Sequence, residues 1–170
     1  SKTHLQDAAD ALFAAEQNAQ SIKPVTHTWP HLGVADAYQV QLLNIDRRIA
    51  AGSTLKGHKV GLTARPMQEL LGVDEPDYGH LLDDMIMADG AEIAISNLCS
   101  PKVEIEIAFV LGQNLKGPGC SLADVLHATS FLLPSIEVVD SRVRDWKITL
   151  ADTIADNASS AGVVLGGKTT

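Results

Sequence analysis

Apolar residues in this chain repeat with two different periods, and the period changes near residue 52. Before it the spacing is helical: Leu5, Ala8, Ala9, Leu12 and Phe13 predict an amphipathic helix, with Thr3 and Gln6 as a capping box. A second helix is predicted from Ala35, with Tyr38, Leu42, Ile45 and Ile49 on one stripe and Gly52 as its stop. "SIKPVTHTWPHLG" between them reads as a loop. Beyond Gly52, "LKGHKVGLT" is extended and "RPMQELLG" is a short helix with Pro66 at its start and Gly72 past its end. "VDEPDYGHLLDDM" is turn-rich and non-periodic, whereas "AEIAISN" alternates as a strand. Ser121 with Asp124 caps a helix over "LADVLHAT". "SIEVVDS" and "GVVLGG" read as further strands, separated by a mixed segment. Helices followed by strands predict a single α+β domain over residues 1–170, with the helices in 1–52.

The segment "PKVEIEIAFV", residues 101–110, breaks the pattern in an informative way. A strand sends alternate side chains to opposite faces. Val103, Ile105, Ile107, Phe109 and Leu111 therefore share one face, which predicts a core face. Glu104 and Glu106 share the other, roughly 6 to 7 Å apart at the backbone. That face continues as Ala108 and Val110, so it is not uniformly polar. Two like charges entering a partly dry place need a cation or a shared proton.

Composition narrows the possibilities. With 170 residues the chain is long enough for one domain with a real core. Twenty-one acidic residues against 13 basic ones give a formal charge of −8, with no Lys/Arg cluster, which argues against nucleic acid or an anionic membrane as partner. No apolar stretch approaches the roughly 18 residues of a membrane span. Cys99 and Cys120 have no metal or redox spacing, so a cytoplasmic location is expected. Ser1 in place of an initiator Met suggests a processed or engineered terminus. The ending "AGVVLGGKTT" reads as a strand that has only just run out, so further chain is expected.

Several catalytic machines are missing: there is no GxSxG elbow, no P-loop, no HExxH and no zinc spacing among the six histidines. Carboxylates remain. Glu137, flanked by Ile136 and Val138, joins Glu104 and Glu106 as a third glutamate on an apolar strand. Three such groups could supply oxygens to a hard cation such as Mg²⁺ or Mn²⁺. The same pattern also fits two half-exposed strands with solvent-facing glutamates. Lys59 lies between Gly57 and Gly61, which would let backbone or ligand approach closely. It could bind a carboxylate or move a proton, or simply guard a strand edge. Asp74, Glu75 and Asp77 crowd one turn, as acidic residues commonly do.

Taken together, "KGHKVGLT", "LGVDEPDYGHLLDDM", "PKVEIEIAFVL", "GPGCSLADV", "PSIEVVDSRVRDW" and "DTIADNASSAGVVLGG" resemble the 2-hydroxypenta-2,4-dienoate hydratase (2-keto-4-pentenoate hydratase) family. The resemblance runs from the first helix to Gly167. It implies a mixed β-roll of the fumarylacetoacetate hydrolase type with the N-terminal helices packed outside, and a lyase of meta-cleavage pathways that hydrates a 2-hydroxy-2,4-dienoate to a 4-hydroxy-2-oxo acid. It implies Mg²⁺ or Mn²⁺ on Glu104, Glu106 and Glu137, an active-site lysine at Lys59, an acid–base carboxylate at Asp77 and a substrate-lining position at Leu81. It further implies a homo-oligomer and a possible complex with a pathway decarboxylase or aldolase. Relatives continue past this point with strands that close the pocket, a part absent from these 170 residues. A 4-oxalocrotonate-type decarboxylase and a non-catalytic partner subunit remain as alternatives; the carboxylate at Asp77 favours hydration.

Overall fold

Where apolar residues recur every three to four positions the chain is helical, but the buried stripes differ from those expected. The computed structural model describes residues 2–167; Ser1 and residues 168–170, the end of the expected terminal strand, lie outside the described residues. Helix α1 (Lys2–Asn18) buries Ala8, Ala9, Leu12 and Ala15. Thr3 already lies inside this helix, and Gln6 Nε2 donates to Asp10 Oδ1 at 3.0 Å, so the Thr3–Gln6 capping box does not form. A four-residue helix, α2 (Val25–Thr28), interrupts the expected loop. Helix α3 (Val34–Ala50) buries Ala37, Val40, Gln41 and Ile45, whereas Leu42 and Ile49 of the expected stripe are exposed. Its inward face is set by two neighbours at once, since α3 packs on α1 and also on the later helix α6 (Leu150–Ala155).

Polar residues stitch these layers together. Gln41 sits on the buried face of α3 because its Nε2 donates to the carbonyls of Tyr78 (3.1 Å) and Ile154 (2.8 Å), while its Oε1 pairs with His80 Nδ1 at 2.8 Å. Asp152 in α6 accepts the Thr149 and Thr26 amides, each at 2.9 Å. It thereby caps its own helix and anchors α2. A buried polar group is tolerated when its bonds are made in this way.

The strands form two sheets. β1 (Leu55–Gly61) and β2 (Asp77–Leu82) pair antiparallel, with Lys59 opposite Gly79 and Gly61 opposite Asp77. Between them lies α4 (Arg65–Leu71), with Pro66 in its first turn and Gly72 ending it at φ 67°. β2 falls in the stretch expected to be turn alone; its buried positions include Asp77, Gly79 and His80, so no apolar alternation marks it. The second sheet has the order β3 (Ile86–Met87), β6 (Ser160–Leu165), β5 (Thr129–Asp140), β4 (Pro101–Leu111), with β3–β6 parallel and the other pairs antiparallel. "AEIAISN" is not a strand: Ile95–Asn97 forms a 3₁₀ turn. Helix α5 (Leu122–Ala128) carries the Ser121–Asp124 capping box as expected.

The expected core face of β4 is exposed, with Val103 at 71% and Ile105 at 91% of full accessibility. β4 is the edge strand of its sheet, and most of its packing within this chain is with β5. The buried core lies instead among the helices, where Ala8, Leu12, Val25, Val40, Ala151 and Ile154 meet. Among the described residues no helix is long and apolar enough to cross a membrane.

One buried ion pair ties the end of β5 to the end of α6. Arg142 Nε donates to Asp156 Oδ1 at 2.5 Å, the Arg142 amide donates to Asp156 Oδ2 at 2.9 Å, and the guanidinium also reaches the carbonyls of Asp156 and Ser160. Removing one partner of such a pair strands the other charge. Asp156→Asn is expected to cost about 3–5 kcal/mol of stability, whereas Arg65→Ala, in the exposed Arg65–Glu69 pair, leaves the unfolding midpoint unchanged. Denaturant unfolding of both variants checks this; equal midpoints would contradict it.

Candidate metal and acid–base site

Strand register brings the three glutamates together. Glu104 stands directly opposite Glu137 in the β4–β5 ladder, and Glu106 opposite Ser135, two positions along on the same face. Directly opposed side chains sit about 4.5–5.5 Å apart at Cβ. Each glutamate offers a carboxylate oxygen, and these lie within 4.8 Å of one another. Oxygens that share a six-coordinate Mg²⁺ at roughly 2.1 Å are about 3 to 4.2 Å apart, so a small rotation suffices to place them on a common ion. Glu137 is buried, at 3% accessibility, while Glu104 and Glu106 open to solvent. Glu137 Oε1 has no hydrogen-bond partner among the described residues. An all-oxygen donor set with an orphaned buried oxygen fits a hard divalent cation.

Lys59 arrives from the other sheet. Its Nζ donates to the Ala158 carbonyl at 3.0 Å and lies 3.4 Å from Glu137 Oε2, with the lysine side chain only 11% accessible. Asp77 is buried, and its Oδ2 accepts from Thr153 Oγ1 at 3.4 Å while its Oδ1 has no partner among the described residues. Gly61 makes room for both: a Cβ there would collide with Asp77 Oδ1 and come within 3.2 Å of Lys59 Nζ. The expected close approach thus holds at Gly61, whereas Gly57 faces open space. Leu81 lies on β2 with Asp77, half-buried against Ile45, Leu82 and Met85.

Charge is unbalanced across this site. Burial pushes the Glu137 carboxyl up, the nearby Lys59 opposes this, and the Glu104 charge adds to it. Asp77 is likewise pushed up by burial, with Lys59 pulling the other way. One ammonium cannot neutralise four carboxylates. Glu137 and Asp77 therefore hold protons more tightly than exposed carboxyls do, and a cation that binds a carboxylate displaces its proton.

Other parts of the site carry no readable sequence signal. Asn157, Ala158 and Ser159 all adopt left-handed backbone, with φ of 53°, 50° and 55°. They carry the carbonyl that meets Lys59, yet "DNASS" reads as an ordinary polar loop. Thr153, the partner of Asp77, lies in α6, inside the segment that showed no period.

No protein-family model matches the chain. Over 161 residues it is 46% identical to "2-keto-4-pentenoate hydratase" of Paraburkholderia xenovorans (strain LB400), a match covering 95% of this chain and 60% of that protein. It is 44% identical over 168 residues to "2-hydroxypent-2,4-dienoate hydratase" of Pseudomonas putida, covering 98% and 76%. A solved structure of 4-oxalocrotonate decarboxylase from Pseudomonas putida G7, complexed with magnesium and adipate, matches with TM-score 0.93 at 38% identity, covering 99% of this chain and 64% of that one. The chain thus spans about 60% of the length of several relatives it matches.

The buried carboxyl of Asp77 makes a testable demand on stability. Its folded-state pKa lies above the unfolded value of roughly 3.9, so the folded chain keeps a proton that the unfolded chain has released. Stability therefore falls as pH rises from about 4 through the raised value, and the full cost is present above it. Asp77→Asn is expected to raise the unfolding midpoint at neutral pH and to flatten this acid-range slope. Metal-free unfolding measured from pH 4 to 8 checks it; a lower midpoint for the variant would contradict it.

Proposed function

The chain belongs to the family of 2-keto-4-pentenoate and 2-hydroxypent-2,4-dienoate hydratases, and on that premise we propose that it hydrates a 2-hydroxy-2,4-dienoate to a 4-hydroxy-2-oxo acid within meta-cleavage degradation. The observation that carries this reading is the meeting of Lys59, Asp77 and Glu137 beside two further glutamates. It supports binding of a small 2-oxo acid or its enol. Glu104, Glu106 and Glu137 would hold Mg²⁺ or Mn²⁺. A divalent cation held there would supply Lewis acidity towards the substrate's oxygens.

The chain's own residues supply the proton chemistry. Lys59, held between the Ala158 carbonyl and Glu137, presents its remaining N–H to the substrate's carboxylate or enolate oxygen and helps move protons as the enol becomes a ketone. This shift leaves a double bond conjugated to the 2-oxo group. Water then adds at C4, and Asp77 takes its proton. A carboxyl whose pKa burial has raised towards the working pH is a stronger base than an exposed one. Leu81 would line the apolar part of the substrate pocket.

The same proposal covers the assembly. These residues form one domain, the N-terminal helices and the start of a β-roll of the fumarylacetoacetate hydrolase type. It works in the cytoplasm as a homo-oligomer, in company with a pathway decarboxylase or aldolase. The exposed apolar strip of β4 supports a protein neighbour. Decarboxylation is the second reading, favoured by the solved decarboxylase that matches at TM-score 0.93. It needs an electron sink but no base for water, so a buried Asp77 would have no task in it.

Full-length protein with Mg²⁺ and 2-hydroxypenta-2,4-dienoate is expected to give 4-hydroxy-2-oxopentanoate, and to release negligible CO₂ from 4-oxalocrotonate. Lys59→Met should lose turnover yet keep metal binding by calorimetry, because the aliphatic stem remains. Rapid CO₂ release without hydration would replace hydratase by decarboxylase. Failure with both substrates would leave a non-catalytic subunit.

A further inference from the structure

We propose that Asn157 is a positioning residue for Lys59, acting by locking a strained turn of left-handed residues against β2. This rests on the reading that Lys59 takes part in the chemistry. Three consecutive non-glycine residues at φ of 50–55° form an unfavourable stretch of backbone. Asparagine tolerates this region better than most residues, but Ala158 and Ser159 do not. Such a conformation persists only when its surroundings over-determine it, and it clusters at functional sites.

Two features fix the turn. The Asn157 carboxamide clasps the backbone of His80: Oδ1 accepts from the His80 amide at 2.7 Å, and Nδ2 donates to the His80 carbonyl at 3.0 Å. A side chain thus supplies both bonds that a neighbouring strand would supply. Beneath it, Gly79 lets the Asn157 backbone rest on β2, because a Cβ at Gly79 would collide with the Asn157 carbonyl oxygen. Gly79 is also the register partner of Lys59. The clasp and the lysine are therefore built on the same strand pair.

The result is an aimed carbonyl. Ala158 accepts from Lys59 Nζ at 3.0 Å, giving the ammonium a neutral partner opposite Glu137. Without that partner the ammonium would turn to the carboxylates around it, Glu137 and Asp77 among them. The same turn reaches Asp77 indirectly, since the Ser159 hydroxyl lies 3.5 Å from Thr153 Oγ1, which donates to Asp77. Asn157 touches neither Lys59 nor Asp77 through its side chain, so it acts through the turn.

Asn157→Gly separates the clasp from the conformation, because glycine adopts left-handed backbone freely but has no carboxamide. In the full-length enzyme this variant is expected to lose roughly 10- to 100-fold in kcat, since small displacements of a reacting group cost this much. KM and Mg²⁺ affinity should stay near the parent values. In a Lys59→Met background the same substitution should add less than about a twofold loss, because residues that act as a unit do not add. Acetylation of Lys59 by acetic anhydride, followed by mass spectrometry, should be faster in Asn157→Gly than in the parent. Should that variant not fold, Asn157→Asp carries the test: it keeps the acceptor for the His80 amide, loses the donor, and should show the same changes in smaller degree. Parent kcat and labelling in a folded Asn157→Gly protein, or an equal loss in both backgrounds, would overturn the proposal while leaving Lys59 in its role. Parent turnover in Lys59→Met alone would overturn the role of Lys59 and the proposal with it.

Discussion

Everything at this site follows from burying Glu137 where, among the described residues, Lys59 is its one close cation. Glu137 lies buried against Lys59, whereas Glu104 and Glu106 on the edge strand open to solvent. Lys59 stands 3.4 Å away but is shared with the Ala158 carbonyl. A buried carboxylate compensated this weakly is costly to the fold. The chain sets the remaining carboxylates around it by register alone, with Glu104 directly across and Glu106 one pleat further. That arrangement worsens the imbalance and at the same time creates a place where a dication would resolve it.

Such a site needs rigid walls, and here polar contacts supply much of the rigidity. Gln41 joins α3 to β2 and α6, Asp152 joins α6 to α2, and Arg142 with Asp156 fastens β5 to the end of α6. Each of these side chains is buried and bonded. They converge on α6 and the turn after it, the segment that presents Thr153 to Asp77 and Ala158 to Lys59. Side-chain networks of this kind specify one arrangement because any alternative leaves a buried group unpaired.

The same fact explains what could and could not be read from the sequence. Alternation of charged and apolar residues in β4 exposed the Glu104–Glu106 pair directly, and the glycine beside Lys59 marked a close approach that the structure has at Gly61. Start, stop and cap signals held at α4 and α5. Hydrophobic pattern failed wherever burial is polar: β2 hides behind Asp77, Gly79 and His80, and α6 behind Asp152 and Thr153. It also failed where apolar residues lack a cover, since Val103, Ile105 and Ile107 form an ideal core face that is exposed in this chain. "AEIAISN" alternates but has no partner strand among the described residues, and alternation without pairing does not make a sheet. The resemblance placed Lys59, Asp77 and Glu137 in one site; the structure adds how closely they meet.

On this reading Glu104, Glu106 and Glu137 would form one cation site next to Lys59. Crystals of the full-length protein soaked in Mn²⁺ and measured near the manganese absorption edge test it most directly. An anomalous difference peak is expected between these three carboxylates, within roughly 2.2 Å of an oxygen from each. A strong peak elsewhere, or none there at saturating Mn²⁺, would contradict it.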